Sequence, residues 1–208
     1  MMKLVGPWFS GPTRRVGITL RLLDIPFEHL ALHAYLQRDE VRAYSPMGKV
    51  PALVLDDGRT LYDSRSIIEY LDELVGPARA LIAPAGAARC EALQYMGIAD
   101  AVYTKFFNVY DESLRPAEFR MAELVDGWIQ QGLTGLTMLE EGAGDGWMVG
   151  GALSQADVFV VVSYQGAAGA LPDRVNGDAY PRLAALTERA MRLPAFADTS
   201  PFKPTVNE

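Results

Sequence analysis

The sequence predicts two domains, an α/β domain with the element order βαβαββα followed by an all-α domain. Short apolar runs typical of strands alternate with helical spacing up to Gly76-Pro77, and no strand pattern of comparable quality follows. With 208 residues, 50% of them hydrophobic and 22% charged, the chain can form one large or two small cores. We expect the α/β domain over residues 1–76, an Ala-, Pro- and Gly-rich linker over 77–86 and the helical domain over 87–208.

The α/β half opens with a strand and then a helix. Pro12 suits the first helical turn, where a missing N–H removes no hydrogen bond, and Ser10 stands just upstream, where helix-start residues belong. Residues 56–58, Asp-Asp-Gly, predict a hairpin turn, and Ser64 can cap the helix that follows. The predicted elements are strand 3–6, helix 12–23, strand 27–32, helix 37–43, strand 49–55, strand 60–62 and helix 65–75.

The sequence predicts that the second half of the chain is helical throughout. A run of valines near residue 160 would suit a strand, but Ser154 and Asp157 open it as a capping box, which predicts a buried helix instead. We expect this box to have a structural role and to bind nothing. The predicted helices span residues 87–113, 116–141, 154–170 and 180–192.

Composition excludes several function classes. A formal net charge of -7 and a pI near 4.9 argue against nucleic acid and anionic membranes as partners. No apolar run has the length of a membrane helix or a signal peptide, so we expect a cytoplasmic protein. The single cysteine, Cys90, excludes an internal disulfide, and His29 and His33 have no cluster of further ligands that would predict a metal site.

Three separated segments resemble the glutathione transferase superfamily. Residues 10–16, Ser-Gly-Pro-Thr-Arg-Arg-Val, are similar to the family's stretch at the start of the first helix. Residues 46–53, Pro-Met-Gly-Lys-Val-Pro-Ala-Leu, followed by 62–71, Tyr-Asp-Ser-Arg-Ser-Ile-Ile-Glu-Tyr-Leu, resemble its cis-proline loop and its acidic-Ser element. Residues 153–157, Leu-Ser-Gln-Ala-Asp, resemble the capping box of its helical domain. The segments occur in the family's order and together span most of the chain.

This resemblance implies a thioredoxin-like N-terminal domain that holds glutathione and a helical domain that holds a hydrophobic electrophile. The implied activity is that of a transferase in which the glutathione thiolate attacks the electrophile, with glutathione as co-substrate, no metal, and a homodimer as the assembly. A glutathione-dependent isomerase or peroxidase would use the same site. A third possibility is a binding module that keeps the fold without turnover.

Ser10 is the catalytic candidate, because the family places a serine, cysteine or tyrosine opposite the glutathione sulfur at this point. Lowering the thiol pKa from about 8.5 by about two units requires roughly 2.7 kcal/mol of preference for the anion. A hydrogen bond to the thiolate contributes about 1.5–3 kcal/mol, and a helix N-terminus adds up to about 1 kcal/mol. The alternative is that Ser10 is only a helix cap.

The remaining candidates follow from the shape and charge of glutathione. A cis peptide bond before Pro51 would leave the Val50 N–H and C=O free to pair with the peptide-like ligand. Asp63 and Ser64 offer a carboxylate and donors for the γ-glutamyl end. The glycyl carboxylate requires a donor, for which His33, Gln37 and Lys49 are candidates. The resemblance also implies an electrophile pocket, for which the candidates are Phe9, Tyr103, Phe107 and Tyr110.

Overall fold

Strands and helices alternate in the first part of the chain and only helices follow, in the computed structural model, which describes residues 1–201. A short 3-10 turn at Ala117–Phe119 precedes the fifth helix. The elements are β1 (Met2–Val5), α1 (Gly11–Leu22), β2 (Phe27–Leu30), α2 (Arg38–Arg42), β3 (Ala52–Val54), β4 (Thr60–Tyr62), α3 (Ser64–Val75), α4 (Ala87–Ser113), α5 (Ala122–Gly142), α6 (Gln155–Ala170), α7 (Pro181–Met191) and α8 (Pro194–Ala197).

The described strands form one mixed sheet in the order β2-β1-β3-β4. β1 runs parallel to β2 and antiparallel to β3, and β3 pairs with β4 as an antiparallel hairpin. Leu4 of β1 lies opposite His29 of β2 and Leu53 of β3. Leu4 and Leu53 are fully buried, and α1 packs against both β1 and α3. The predicted fold class, a thioredoxin-like βαβαββα domain followed by helices, is confirmed.

The described part of the chain divides into two compact units, Leu81–Ala190 and a unit that joins Met1–Ala80 to residues 191–201. The sequence predicts that the helical domain spans all of 87–208, of which residues 202–208 lie outside the described part of the chain. The difference arises because α8 packs on α1 and buries Phe196 completely. A four-residue helix shows no periodicity, so its sequence does not indicate this docking.

In the unit Leu81–Ala190, α4 packs against both α5 and α6. Glycines on α5 allow the close approach of α4. A Cβ atom on Gly132 would lie 2.7 Å from Cε2 of Phe106, and one on Gly135 would lie 2.5 Å from Cγ2 of Val102. The valine-rich segment is the helix α6, as its capping box predicts, and it is buried along most of its length.

The capping box of α6 is built around the buried carboxylate of Asp157. Asp157 Oδ2 accepts hydrogen bonds from the backbone N–H and the hydroxyl of Ser154, both at 2.8 Å. Its Oδ1 accepts a third from the Met148 N–H at 2.7 Å, which ties the preceding loop to the helix. Burial raises the pKa of Asp157, and these hydrogen bonds oppose the rise.

The helix expected to begin at residue 116 begins later. The chain forms the 3-10 turn Ala117–Phe119, and α5 starts only at Ala122. The buried carboxylate of Glu112 accepts a hydrogen bond from the Met121 N–H at 3.1 Å. This bond holds the connection in a non-helical path that local propensity alone does not predict.

Two kinds of feature are absent from residues 1–201. No helix there combines the length and the apolar character that crossing a lipid bilayer requires. The same part of the chain has no group of three or more His, Cys, Asp or Glu side chains arranged to hold a metal ion. Cys90 lies exposed in the first turn of α4.

Candidate active site

Ser10 is the residue that joins the loop after β1 to the first helix. It is the N-cap of α1, and its Oγ accepts a hydrogen bond from the Thr13 N–H at 3.4 Å. Its own N–H donates to Pro7 O at 3.0 Å, which closes the turn before the helix. A serine hydroxyl that accepts one hydrogen bond still has its proton to donate. The capping role therefore leaves Ser10 able to donate to a sulfur at the positive end of the helix.

The segment at Val50 ends just before β3, which begins at Ala52. The Val50–Pro51 peptide bond is cis, and Pro51 is buried while Val50 is half-buried. Within residues 1–201, no hydrogen bond involves the backbone N–H or C=O of Val50. These two groups are therefore available to a ligand that lies alongside as an extended strand.

Gly6, the first residue after β1, lies close to both of these segments. Its φ is +132°, and a Cβ atom there would lie 2.4 Å from Thr13 Oγ1 and 2.9 Å from Val50 Cβ. Only glycine fits this backbone conformation and this space. The structure therefore brings the first turn of α1 and the Val50 segment together around one glycine.

The Asp63-Ser64 pair opens α3, but the roles of the two residues differ from those expected. Asp63, not Ser64, is the N-cap: its Oδ1 accepts hydrogen bonds from the N–H groups of Arg65 at 3.0 Å and Ser66 at 3.2 Å. Ser64 is the first helical residue and is buried. Asp63 has a positive φ of 68° and remains exposed. Both capping bonds use Oδ1, so Oδ2 can accept from an ammonium group.

The three candidates for the glycyl carboxylate have different surroundings. The Tyr35 N–H donates to His33 Nδ1 at 3.2 Å, and this bond assigns the ring proton to Nε2. The His33 N–H donates to the side-chain oxygen of Gln37 at 3.0 Å, which occupies that oxygen. Lys49 is exposed, next to Val50 in sequence. The Gln37 side-chain NH2 is still a donor, so His33 Nε2–H, the Gln37 amide and the Lys49 ammonium can each donate to an anion.

Of the four aromatic candidates, Phe9 belongs to the unit that contains the sheet and the other three belong to the unit Leu81–Ala190. Phe9, in the loop before α1, is 55% exposed. On α4, the Tyr103 and Phe107 rings stack with centroids 5.9 Å apart, and the Phe107 and Tyr110 centroids are 6.2 Å apart. These three residues share one helix face, whereas Phe106 is buried against α5. The structure therefore separates a half-exposed aromatic face from the core residue beside it.

His29 is not among the site residues that the sequence predicts, because the sequence suggests it only as a metal ligand. His29 Nε2 donates to Gly6 O at 2.8 Å, and the His29 ring stacks on Trp8 with centroids 3.7 Å apart and planes 15° apart. Burial lowers the pKa of His29, with Arg21 adding to the effect and the bond to Gly6 opposing it. The partners are far apart in sequence, so no local signal indicates the contact.

Comparison with known proteins places these observations in a family. A model described as "Glutathione S-transferase, N-terminal domain" matches residues 4–79, which contain Ser10, Val50 and Asp63. Maleylacetoacetate isomerase from Pseudomonas aeruginosa is 30% identical over 96% of this chain and 96% of its own length. A probable maleylacetoacetate isomerase from Vibrio cholerae is 31% identical over 97% of each chain.

A solved structure gives the same result for the fold. A glutathione S-transferase from Methylobacterium radiotolerans, in complex with glutathione sulfonate, superimposes with a TM-score of 0.90 and 25% sequence identity. The match covers 100% of this chain and 98% of that one. The likeness therefore extends over the helical part as well as the sheet.

Proposed function

The chain belongs to the glutathione S-transferase family, and from this premise we propose that it is a glutathione-dependent enzyme in which Ser10 stabilises the bound thiolate. The observation that carries the proposal is the position of Ser10 at the N-terminus of α1. Its Oγ is engaged only as an acceptor in the bonds described, so the O–H can donate to sulfur. A hydrogen bond from this hydroxyl and the helix dipole together can supply the roughly 2.7 kcal/mol of thiolate stabilisation that a two-unit reduction of the thiol pKa requires.

The rest of the glutathione molecule has matching partners in the same unit. The open Val50 backbone groups would pair with the cysteinyl backbone of glutathione. Asp63 would accept from the γ-glutamyl ammonium, while the N-terminus of α3, with the Ser64 hydroxyl, would donate to the adjacent carboxylate. His33 and Lys49 would serve the glycyl carboxylate. The complex of the Methylobacterium radiotolerans enzyme with glutathione sulfonate supports a ligand of this class.

For the reaction, we propose glutathione-dependent isomerisation. Two relatives that match over nearly their whole length are named maleylacetoacetate isomerase and probable maleylacetoacetate isomerase. The substrate in these names has a carbon–carbon double bond conjugated to carbonyl groups. A thiolate can add to one carbon of such a double bond and leave a single bond that rotates. Expulsion of the thiolate then restores the double bond in the other geometry. Glutathione is regenerated, so the step needs no further reactant.

Conjugation to a hydrophobic electrophile is the second candidate, and one observation favours it. The face of α4 formed by Tyr103, Phe107 and Tyr110 is aromatic and half-exposed, and Tyr110 is 38% exposed. Such a face suits an apolar substrate better than a dicarboxylate. In this reaction the sulfur stays bonded to the product and the electrophile loses its leaving group. We place either reaction in the cytoplasm, where thiols are kept reduced.

The test of glutathione activation is a parallel titration of wild type, Ser10→Ala and Ser10→Thr. Calorimetry measures binding, and ultraviolet absorbance measures the thiolate as a function of pH. We expect all three proteins to bind glutathione, Ser10→Ala to lose thiolate by about tenfold or more near neutral pH, and Ser10→Thr to retain most of it. Ser113→Ala, which changes an exposed serine on α4, is the matched control and should behave as wild type.

The outcomes separate the parts of the proposal. Absence of glutathione binding in wild type would contradict the function as a whole. Equal thiolate in wild type and Ser10→Ala would remove the catalytic role of Ser10 and leave it as a helix cap. Turnover of maleylacetoacetate without loss of free glutathione would support isomerisation, and consumption of glutathione with 1-chloro-2,4-dinitrobenzene would support conjugation instead.

A further inference from the structure

We propose that His29 is a positioning residue for Ser10: by bonding Gly6 and stacking on Trp8, it fixes the loop that presents the Ser10 hydroxyl to the sulfur of glutathione. The inference rests on the proposed function and adds a residue from β2, a strand that contains none of the predicted site residues. The loop concerned runs from Gly6 to Ser10, between the end of β1 and the start of α1.

The first contact is the hydrogen bond between His29 Nε2 and Gly6 O, at 2.8 Å. A carbonyl oxygen only accepts, so Nε2 carries the proton in this contact. The Gly6 N–H donates in turn to Leu30 O at 2.9 Å. Both polar backbone groups of Gly6 are therefore held by neighbouring residues of β2, one through a side chain and one through the main chain.

The second contact is the stack of the His29 ring on Trp8, with centroids 3.7 Å and planes 15° apart. The Trp8 ring also lies against α1, because a Cβ atom on Gly17 would be 2.3 Å from Trp8 Cζ3. Trp8 therefore contacts both β2 and α1, the helix that follows the loop. Since Ser10 is two residues from Trp8, a shift of this ring would move the serine.

The position of Gly6 explains why its displacement would affect the chemistry. The glycine is in close contact with Thr13 in the first turn of α1 and with Val50. In that first turn the Thr13 N–H donates to Ser10 Oγ at 3.4 Å, which is long for a hydrogen bond and therefore holds the hydroxyl weakly. A small movement of the loop would change the direction of the Ser10 hydroxyl, on which the stabilisation of a thiolate depends.

The alternative is that His29 only fills space beside Trp8. In that case its replacement would lower stability and leave the thiolate unaffected. Two substitutions separate the roles: His29→Phe keeps a flat ring for the stack and removes the donor, whereas His29→Gln keeps an N–H at the equivalent position. Glu28→Gln is the matched control, because Glu28 is the preceding strand residue and, within residues 1–201, its side chain forms only an exposed ion pair with Lys3.

The experiment measures three quantities on each variant: glutathione affinity by calorimetry, thiolate by ultraviolet absorbance against pH, and amide hydrogen exchange at Trp8, Phe9 and Ser10 without ligand. We expect about tenfold less bound thiolate in His29→Phe at a given pH below the titration midpoint, and recovery to within about threefold in His29→Gln. Affinity should change by less than about threefold in both variants. Exchange at the three amides should rise in His29→Phe and remain low in Glu28→Gln.

Unchanged thiolate in His29→Phe, with wild-type glutathione binding, would overturn the proposal and leave His29 a packing residue. Equal loss of thiolate in the two variants would instead support the proposal, since the hydrogen bond to Gly6, absent in His29→Phe, and the stack on Trp8, absent in His29→Gln, would then both be required. Absence of glutathione binding in wild type would defeat the proposed function separately. The positioning role would then be judged by hydrogen exchange alone, and equal protection of the loop in wild type and His29→Phe would refute it.

Discussion

The side chain of Thr13 is fully buried in the first turn of α1, yet within residues 1–201 its hydroxyl has no hydrogen-bond partner. Burying an unpaired hydroxyl costs about 1–3 kcal/mol in protein mutational data. Thr13→Val replaces the hydroxyl with a methyl group of nearly the same shape. We therefore expect the variant to be as stable as wild type or more stable by about 1 kcal/mol, measured by urea unfolding.

Thr19 provides the control for this prediction in the same helix. It is equally buried, but its Oγ1 donates to Arg15 O at 2.8 Å. Thr19→Val should therefore lose stability, by about 0.5–1.5 kcal/mol. If Thr13→Val lowered the free energy of unfolding more than Thr19→Val does, the Thr13 hydroxyl would have a hydrogen-bond partner in solution.

At the scale of elements, the contact between α4 and α5 depends on which α5 residues lack a side chain. Gly132 lies against Phe106, where an added Cβ would be 2.7 Å from a ring carbon, whereas Gly127 has nothing within 4 Å. We expect Gly132→Ala to destabilise the protein by about 1–3 kcal/mol through overpacking. Gly127→Ala should instead stabilise it by about 0.5–1 kcal/mol, because alanine is the better helix former.

The same chemical change thus has opposite expected signs at two positions of one helix. Thermal or urea unfolding of the two variants measures the difference directly. If both substitutions proved stabilising, α4 and α5 would be more loosely packed in solution than the contact between Phe106 and Gly132 implies. Far-ultraviolet circular dichroism of each variant checks that α5 remains helical.

At the scale of the whole molecule, the order of the elements was predictable from sequence because each element carries its own local signal. The hairpin turn at residues 56–58 and the capping box at Ser154 are examples, and the elements they predict occur in the structure. The cap of α3 is predicted one residue too late, at Ser64 instead of Asp63. Both residue types can cap a helix, and the backbone conformation determines that Asp63 does so.

Contacts between distant positions were not predictable in this way. The stack of His29 on Trp8 joins two ordinary-looking residues on different elements. The docking of α8 joins residues up to 182 positions apart, as in the hydrogen bond from Arg14 to Phe196 O. In both cases the energy comes from tertiary packing, which leaves no periodic trace in the local sequence.

The C-terminal segment should therefore contribute to the stability of the unit that contains the sheet. Phe196 belongs to α8, which packs on α1, and it has no exposed surface. The nearby Arg14 is buried, which lowers its pKa to about 10, and its guanidinium donates to Phe196 O at 3.5 Å. We expect Phe196→Ala to cost about 3–5 kcal/mol in the free energy of unfolding and to accelerate hydrogen exchange in α1.

Asp198 offers a matched control two residues further along the same segment. Its ion pair with Arg21, at 3.7 Å, is exposed, so Asp198→Asn should cost less than about 1 kcal/mol. A loss below about 1 kcal/mol for Phe196→Ala as well would show that the segment is not part of the cooperative fold. A large loss for Phe196→Ala alone would mean that removing the residues after Met191 impairs the unit that carries Ser10, although none of them belongs to the proposed site.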